Sequence, residues 1–262
     1  MEQLPVPAPK FTGESRVVDA NRIFAWLQRG WLLFVAEPAQ WLLMTLVLLV
    51  IMLGLSVIPF VGSLAAMLLT PVFVAGMLYV AQRVDDEQDP AFESMFAGFS
   101  QKPVRLMILG ALYTAANLLI MLVLFLIVGG AIFGGAMRGD MAGVGMAVGS
   151  VLVAFVLSMI FFIPVMMAMW FAPALVFFED ASPIDAVKAS FSACWKNIVP
   201  FTVYGLLMFI ASNIVPLIVY GLLKFIASIV AALLFMLGFL IFLPVLFGSM
   251  LASYKDIFAS QL

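Results

Sequence analysis

The sequence holds no histidine and one cysteine, Cys194. These absences exclude a histidine-based catalytic triad, a histidine or multi-cysteine metal site and any disulfide within the chain. Cys194 is read as a packing residue. Charge is scarce too: Asp, Glu, Lys and Arg make up 10% of the 262 residues, where soluble domains carry about 25%. None of the 14 acidic residues falls in the middle of an apolar run, which counts against an ion-coupled carrier with a carboxylate at membrane depth. The acidic run Asp85-Asp86-Glu87-Gln88-Asp89 lacks the spacing and glycine of a calcium loop. A net charge of −2 offers no footprint for nucleic acid. No cofactor is expected and no enzyme: the spans contain neither a Ser-His pair nor two aspartates.

What is present is apolar length. Hydrophobic residues make up 66% of the chain, and uncharged runs recur that are long enough to cross a bilayer as helices. Lipid offers no partner to backbone groups, so only helices or closed barrels span it, and these continuous runs lack the alternation of barrel strands. The expected fold is all-α: a polytopic membrane protein whose six transmembrane helices form three hairpins. The spans are placed at 41–59, 61–81, 105–131, 144–177, 198–222 and 225–252. Residues 1–16, with three prolines and no apolar core, read as a flexible cytoplasmic arm ahead of one membrane domain, 17–262. Lys and Arg are divided ten against two between the two sides of this threading, Arg138 and Lys224 being the two. By the positive-inside rule both termini are then cytoplasmic.

Each hairpin is expected to follow an amphipathic interfacial helix. Ser182-Pro183-Ile184-Asp185 reads as an N-cap, a proline at the first helical position and a carboxylate at the third. The helix that follows would place Ile184, Val187, Phe191 and Cys194 on one face. Before the first span, Ile23, Phe24, Leu27, Trp31 and Phe34 form such a stripe, and before the third span Phe92, Met95, Phe96 and Phe99 do. Trp26, Trp31, Trp41 and Trp195 are the candidate interface anchors. The chain thus reads as three copies of one unit, 17–88, 89–181 and 182–262.

Pro71, Pro164 and Pro244 fall at matching places in the even-numbered spans, with Pro173 near the end of the fourth. Each removes an intrahelical bond and kinks its helix. Converging kinks lined by Asn117, Ser158 and Asn213 would make a polar cleft for a small or lipidic solute, whereas hydrogen bonding between helices would also employ those side chains. Gly130 and Gly134, and likewise Gly145 and Gly149, are spaced for close helix packing.

Residues 26–41 (WLQRGWLLFVAEPAQW), 170–175 (WFAPAL), 186–207 (AVKASFSACWKNIVPFTVYGLL) and 251–258 (LASYKDIF) together resemble a family of Gram-negative bacterial inner-membrane proteins of unknown function. The resemblance implies location and architecture and brings no catalytic residues. Two functions are carried forward. One is an accessory, assembly or scaffolding factor that meets membrane lipids and other inner-membrane proteins. The other is a transporter or channel through the proline-lined cleft.

Overall fold

Prolines set where the helices stop in the computed structural model, which describes residues 13–138, 141–223 and 228–258. Helix α1 (Arg22–Ala36) ends at Glu37, whose backbone leaves the helical region that a following proline disfavours; Pro38 then opens α2 (Pro38–Ser56). A tight turn with Phe60 at φ 59° leads into α3 (Val61–Asp85). A 3-10 turn (Phe92–Phe96) runs into the short α4 (Ala97–Gln101), and Pro103 opens α5 (Pro103–Arg138). Next come α6 (Met141–Trp170), α7 (Ala172–Phe178), α8 (Pro183–Lys196), α9 (Ile198–Leu223) and α10 (Ser228–Phe258). The described residues contain no strand.

Among the described residues five stretches are long and apolar enough to cross a membrane: Pro38–Ser56, Val61–Asp85, Pro103–Gly135, Val148–Phe178 and Gly238–Phe258. A sixth exists if α8 and the first part of α9, bent by 90° at Asn197, count as one broken span. The protein is therefore an all-helical, multi-pass membrane protein. Two parts of the expected map lie outside the described residues: the arm up to residue 12, and the turns at Gly139-Asp140 and Lys224. A short helical segment precedes two long helices three times along the chain, yet the short segments pack differently. Helix α1 lies on α10, whereas α8 lies against α6 and α7.

The buried residues gather at one end of the bundle. There the second half of α3, the first turns of α5, α7, the inner face of α8 and the last turns of α10 meet around Trp26, Trp41, Phe171, Leu175 and Leu251. Gly30 lets α1 reach α10 backbone to backbone: a Cβ there would lie 2.5 Å from the Val245 carbonyl oxygen and 2.7 Å from the Ser249 nitrogen. Opposite it, a Cβ on Gly248 would meet Gly30 Cα at 2.8 Å. No larger side chain fits this crossing without parting the helices.

The apolar stripes expected on the short helices pack only in part: Ile23, Phe34, Met95 and Cys194 are buried and Leu27, Phe96, Phe99 and Val187 lie against the core, whereas the remaining members face outward. On α1 the buried residues are Ile23, Trp26, Gly30, Leu33 and Phe34, while Phe24 and Trp31 point outward. On α8 the inner face is Ala186, Ala189, Ser190 and Ala193, with Cys194 beside it, and Ile184 and Phe191 are exposed. The physical reason is common to both: helices in lipid gain closeness from small residues, and bulky apolar side chains lose nothing by facing the hydrocarbon.

Candidate functional site

The charged residues converge on the buried end. Asp256, in the last turn of α10, is almost wholly enclosed and accepts hydrogen bonds from Arg22 Nε at 2.6 Å and from the Trp26 indole N–H at 3.0 Å. Arg16 completes the set with an ion pair to the same carboxylate and a bond to the Asp256 carbonyl oxygen. Asp85, at the end of α3, takes Arg29 Nε at 2.7 Å and Lys255 Nζ at 2.5 Å. Glu179 accepts the Tyr254 hydroxyl at 2.7 Å. Asp180 takes Lys102 at 2.7 Å and Arg105 at 2.8 Å. These pairs join α1, α3, α5, the α7–α8 loop and α10 at one level.

Sequence proximity builds little of this. The Trp26 and Asp256 partners stand 230 positions apart, and the segment before α1 is held by Asn197 at the α8–α9 corner. Asn197 accepts from the Val18 N–H at 2.8 Å and donates to the Arg16 carbonyl at 3.0 Å. Hydrogen bonding to Asp256, with its charge, raises the Arg22 pKa above its ordinary value. The neighbouring ammonium of Lys102, with Arg105 adding to it, lowers that of Asp180.

Between α1, α3 and α10 these residues leave an open cleft of about 480 Å³, lined by Arg16, Arg22, Arg29, Asp85, Lys255 and Asp256, with Ala25 and Ala252 leaving room between them. Among the described residues no group of three or more Cys, Asp or Glu is placed to hold a metal ion. The arrangement is one of charge pairing.

The residues singled out in the sequence fall elsewhere. Pro71, Pro173 and Pro244 are buried, but Pro164 is exposed, so the even-span prolines do not share one interior. Asn117 donates to the Tyr113 carbonyl, Ser158 to that of Phe155 and Asn213 to that of Phe209, each on its own helix. Two of the four expected anchors are core residues: Trp26 bonds Asp256, and Trp41 donates to the Leu33 carbonyl at 3.0 Å with no exposed surface. Each indole N–H is paired inside, which an interface position would have left to water and headgroups. Trp31 and Trp195 remain outward, 50% and 62% exposed. The expected glycine contacts are also corrected: nothing lies within 4 Å of a Cβ on Gly130, Gly134, Gly145 or Gly149, and the close crossing uses Gly30 and Gly248 instead.

Asp256 had one legible signal. A carboxylate in the last turn of a helix opposes the macrodipole, and its place between Lys255 and Ile257 marks a residue that needs specific donors.

No family model matches the chain, and no solved structure matches it. The chain is similar to a probable inner membrane protein of Burkholderia thailandensis, 27% identical over 252 residues that cover 93% of each chain. The resemblance to Gram-negative inner-membrane proteins read from the sequence motifs stands on this full-length match.

Proposed function

We propose that the protein is a non-enzymatic accessory or scaffolding factor of the bacterial inner membrane, and that the α5–α6 hairpin is the element it offers to a partner membrane protein. Both termini are read as cytoplasmic. The ten-to-two division of Lys and Arg supports that orientation, and the Arg16 N–H bonds the Ile257 carbonyl at 3.2 Å, so the first and last described segments meet at the charged end.

The observation that carries the reading is the length of α5 against its packing. Residues 106–137 form 32 uncharged residues within one helix, about 48 Å at 1.5 Å per residue. The hydrocarbon is about 30 Å thick. A tilt of about 40°, the top of the usual range, accommodates about 39 Å of that length. The remainder is apolar, and Phe133 and Met137 in it are both more than half exposed. Apolar surface beyond the lipid favours cover by another protein. The open glycines of the hairpin supply a flat approach for a partner helix.

The transport reading requires a shared polar lumen, and the self-bonded Asn117, Ser158 and Asn213 weigh toward the scaffold. The test replaces residues 134–143 with a short polar turn and compares what copurifies from native membranes in lipid-retaining nanodiscs. Loss of a protein that accompanies the parent chain is expected. An unchanged set of companions would sink the reading.

A further inference from the structure

The cleft at the charged end has an asymmetry that the scaffold role does not use. Four cations, Arg16, Arg22, Arg29 and Lys255, face two lining carboxylates, Asp85 and Asp256, with Asp86 3.9 Å from Lys255 at the edge, for a formal surplus of one positive charge. The lining carboxylates lie beneath, their side chains 13% and 5% exposed, while the arginines stand 44%, 52% and 50% exposed. Buried anions therefore hold exposed cations in place, and the open surface of the cleft is cationic. Arg22 engages Asp256 through Nε, which leaves its two terminal nitrogens for a ligand, since a guanidinium carries five donors. Fixed guanidinium groups match the oxygens of a phosphate better than ammonium groups do.

The outward side of α1, with Phe24, Trp31, Leu32 and Val35 at least about half exposed, is too apolar for water. It suits the boundary between headgroups and acyl chains. The cleft beside it then opens at headgroup depth, where basic pockets between helices bind anionic lipid heads.

We infer that this cleft binds an anionic phosphate ester, presented by a phospholipid of the leaflet it faces. The inference needs only the membrane placement of α1 and is independent of what the α5–α6 hairpin contacts. Arg22 and Arg29 grip the phosphate, Asp85 and Asp256 orient them from below, and Ala25 and Ala252 leave the space for it.

The full-length protein in phosphatidylcholine nanodiscs, with and without phosphatidylglycerol, tests this by mass spectrometry of lipids retained on release. A second arm titrates glycerol 3-phosphate into the phosphatidylcholine discs. Retention of phosphatidylglycerol over phosphatidylcholine is expected, weakened at least about tenfold by Arg22→Gln with Arg29→Gln, since a hydrogen bond to a charged group carries about that factor. Ala252→Leu, which fills the cleft and keeps every charge, should weaken it as well. Lys188→Gln, exposed on α8 outside the cleft, should leave it unchanged. Binding of glycerol 3-phosphate alone with the same dependence on the two arginines supports the site with a soluble ester as its source. Retention of neither ligand above the phosphatidylcholine background overturns the proposal. So does an effect of Lys188→Gln equal to that of the double variant, or full retention by folded Ala252→Leu.

Discussion

Two regions of this protein invert the usual relation between hydrophobicity and burial. The α5 and α6 stretches are the most apolar of the five described spans, yet 6% and none of their apolar windows are buried within the chain, against 50% for α3 and 44% for α10. The less apolar pair forms the core. In water that would be impossible, because apolar area seeks the interior at about 25 cal/mol per Å². In lipid the hydrocarbon already satisfies such area, and what brings helices together is small-residue contact, aromatic packing and polar bonds. The charged end has all three: Gly30 on Gly248, Trp26 among Phe201 and Tyr204, and the bonds to Asp256 and Asp85. The hairpin's described outer half has Gly135 close to Gly143 and otherwise open glycines.

The sharpest way to break the comparison is to substitute one glycine from each region. Gly30→Leu forces a side chain into the Val245 and Ser249 backbone and should cost about 3 kcal/mol in reversible detergent unfolding, at the high end for overpacking. Gly134→Ala meets open space and should raise stability by about 0.5 to 1 kcal/mol through helix propensity. Equal losses at both sites would erase the distinction.

Next in size is Asp256→Ala, which strands the buried Trp26 N–H and frees Arg16 and Arg22. A loss of about 2 kcal/mol is expected in the same measurement, an unsatisfied buried donor being the main part. Ser190→Ala follows. The Ser190 hydroxyl accepts from the Phe171 N–H at 2.9 Å and donates to the Met167 carbonyl at 2.7 Å, bridging the break between α6 and α7. Its removal should cost about 1 to 2 kcal/mol and speed hydrogen exchange at Phe171.

The smallest effect is a pH dependence at Asp180. Its folded pKa is lowered by Lys102 and Arg105, so its contribution is present above the unfolded value of about 3.9 and is lost as pH falls through the folded one. Asp180→Asn suits the position because φ there is 57° and asparagine tolerates that region. The parent should exceed the variant slightly in melting temperature at pH 7, and the difference should vanish at strongly acidic pH. A difference that persists there would assign the effect to backbone shape.

Much of the architecture was legible residue by residue. Ser182, Pro183 and Asp185 start α8 as read, the Ser182 hydroxyl accepting from the Asp185 N–H. The bend at Pro59 to Gly62 and the long apolar helices also lie where the runs place them. The inner faces followed from the pattern only in part: Ile23, Phe34, Met95 and Cys194 are buried as it placed them. An apolar stripe marks the core only when the surroundings are water, and Phe24, Ile184 and Phe191 face outward because lipid accepts them.

Composition and charge alone determined that this chain folds as helices in a bilayer and where its basic flanks concentrate, because backbone satisfaction in lipid and the cost of inserting charge are properties of local sequence. Only the tertiary structure decided that Trp26 and Trp41 are core residues, that Gly30 is the crossing point and that six charged side chains share one cleft. Those facts depend on contacts between distant segments, such as Arg22 with Asp256 across 234 positions, and no local pattern encodes which helix end will stand opposite which.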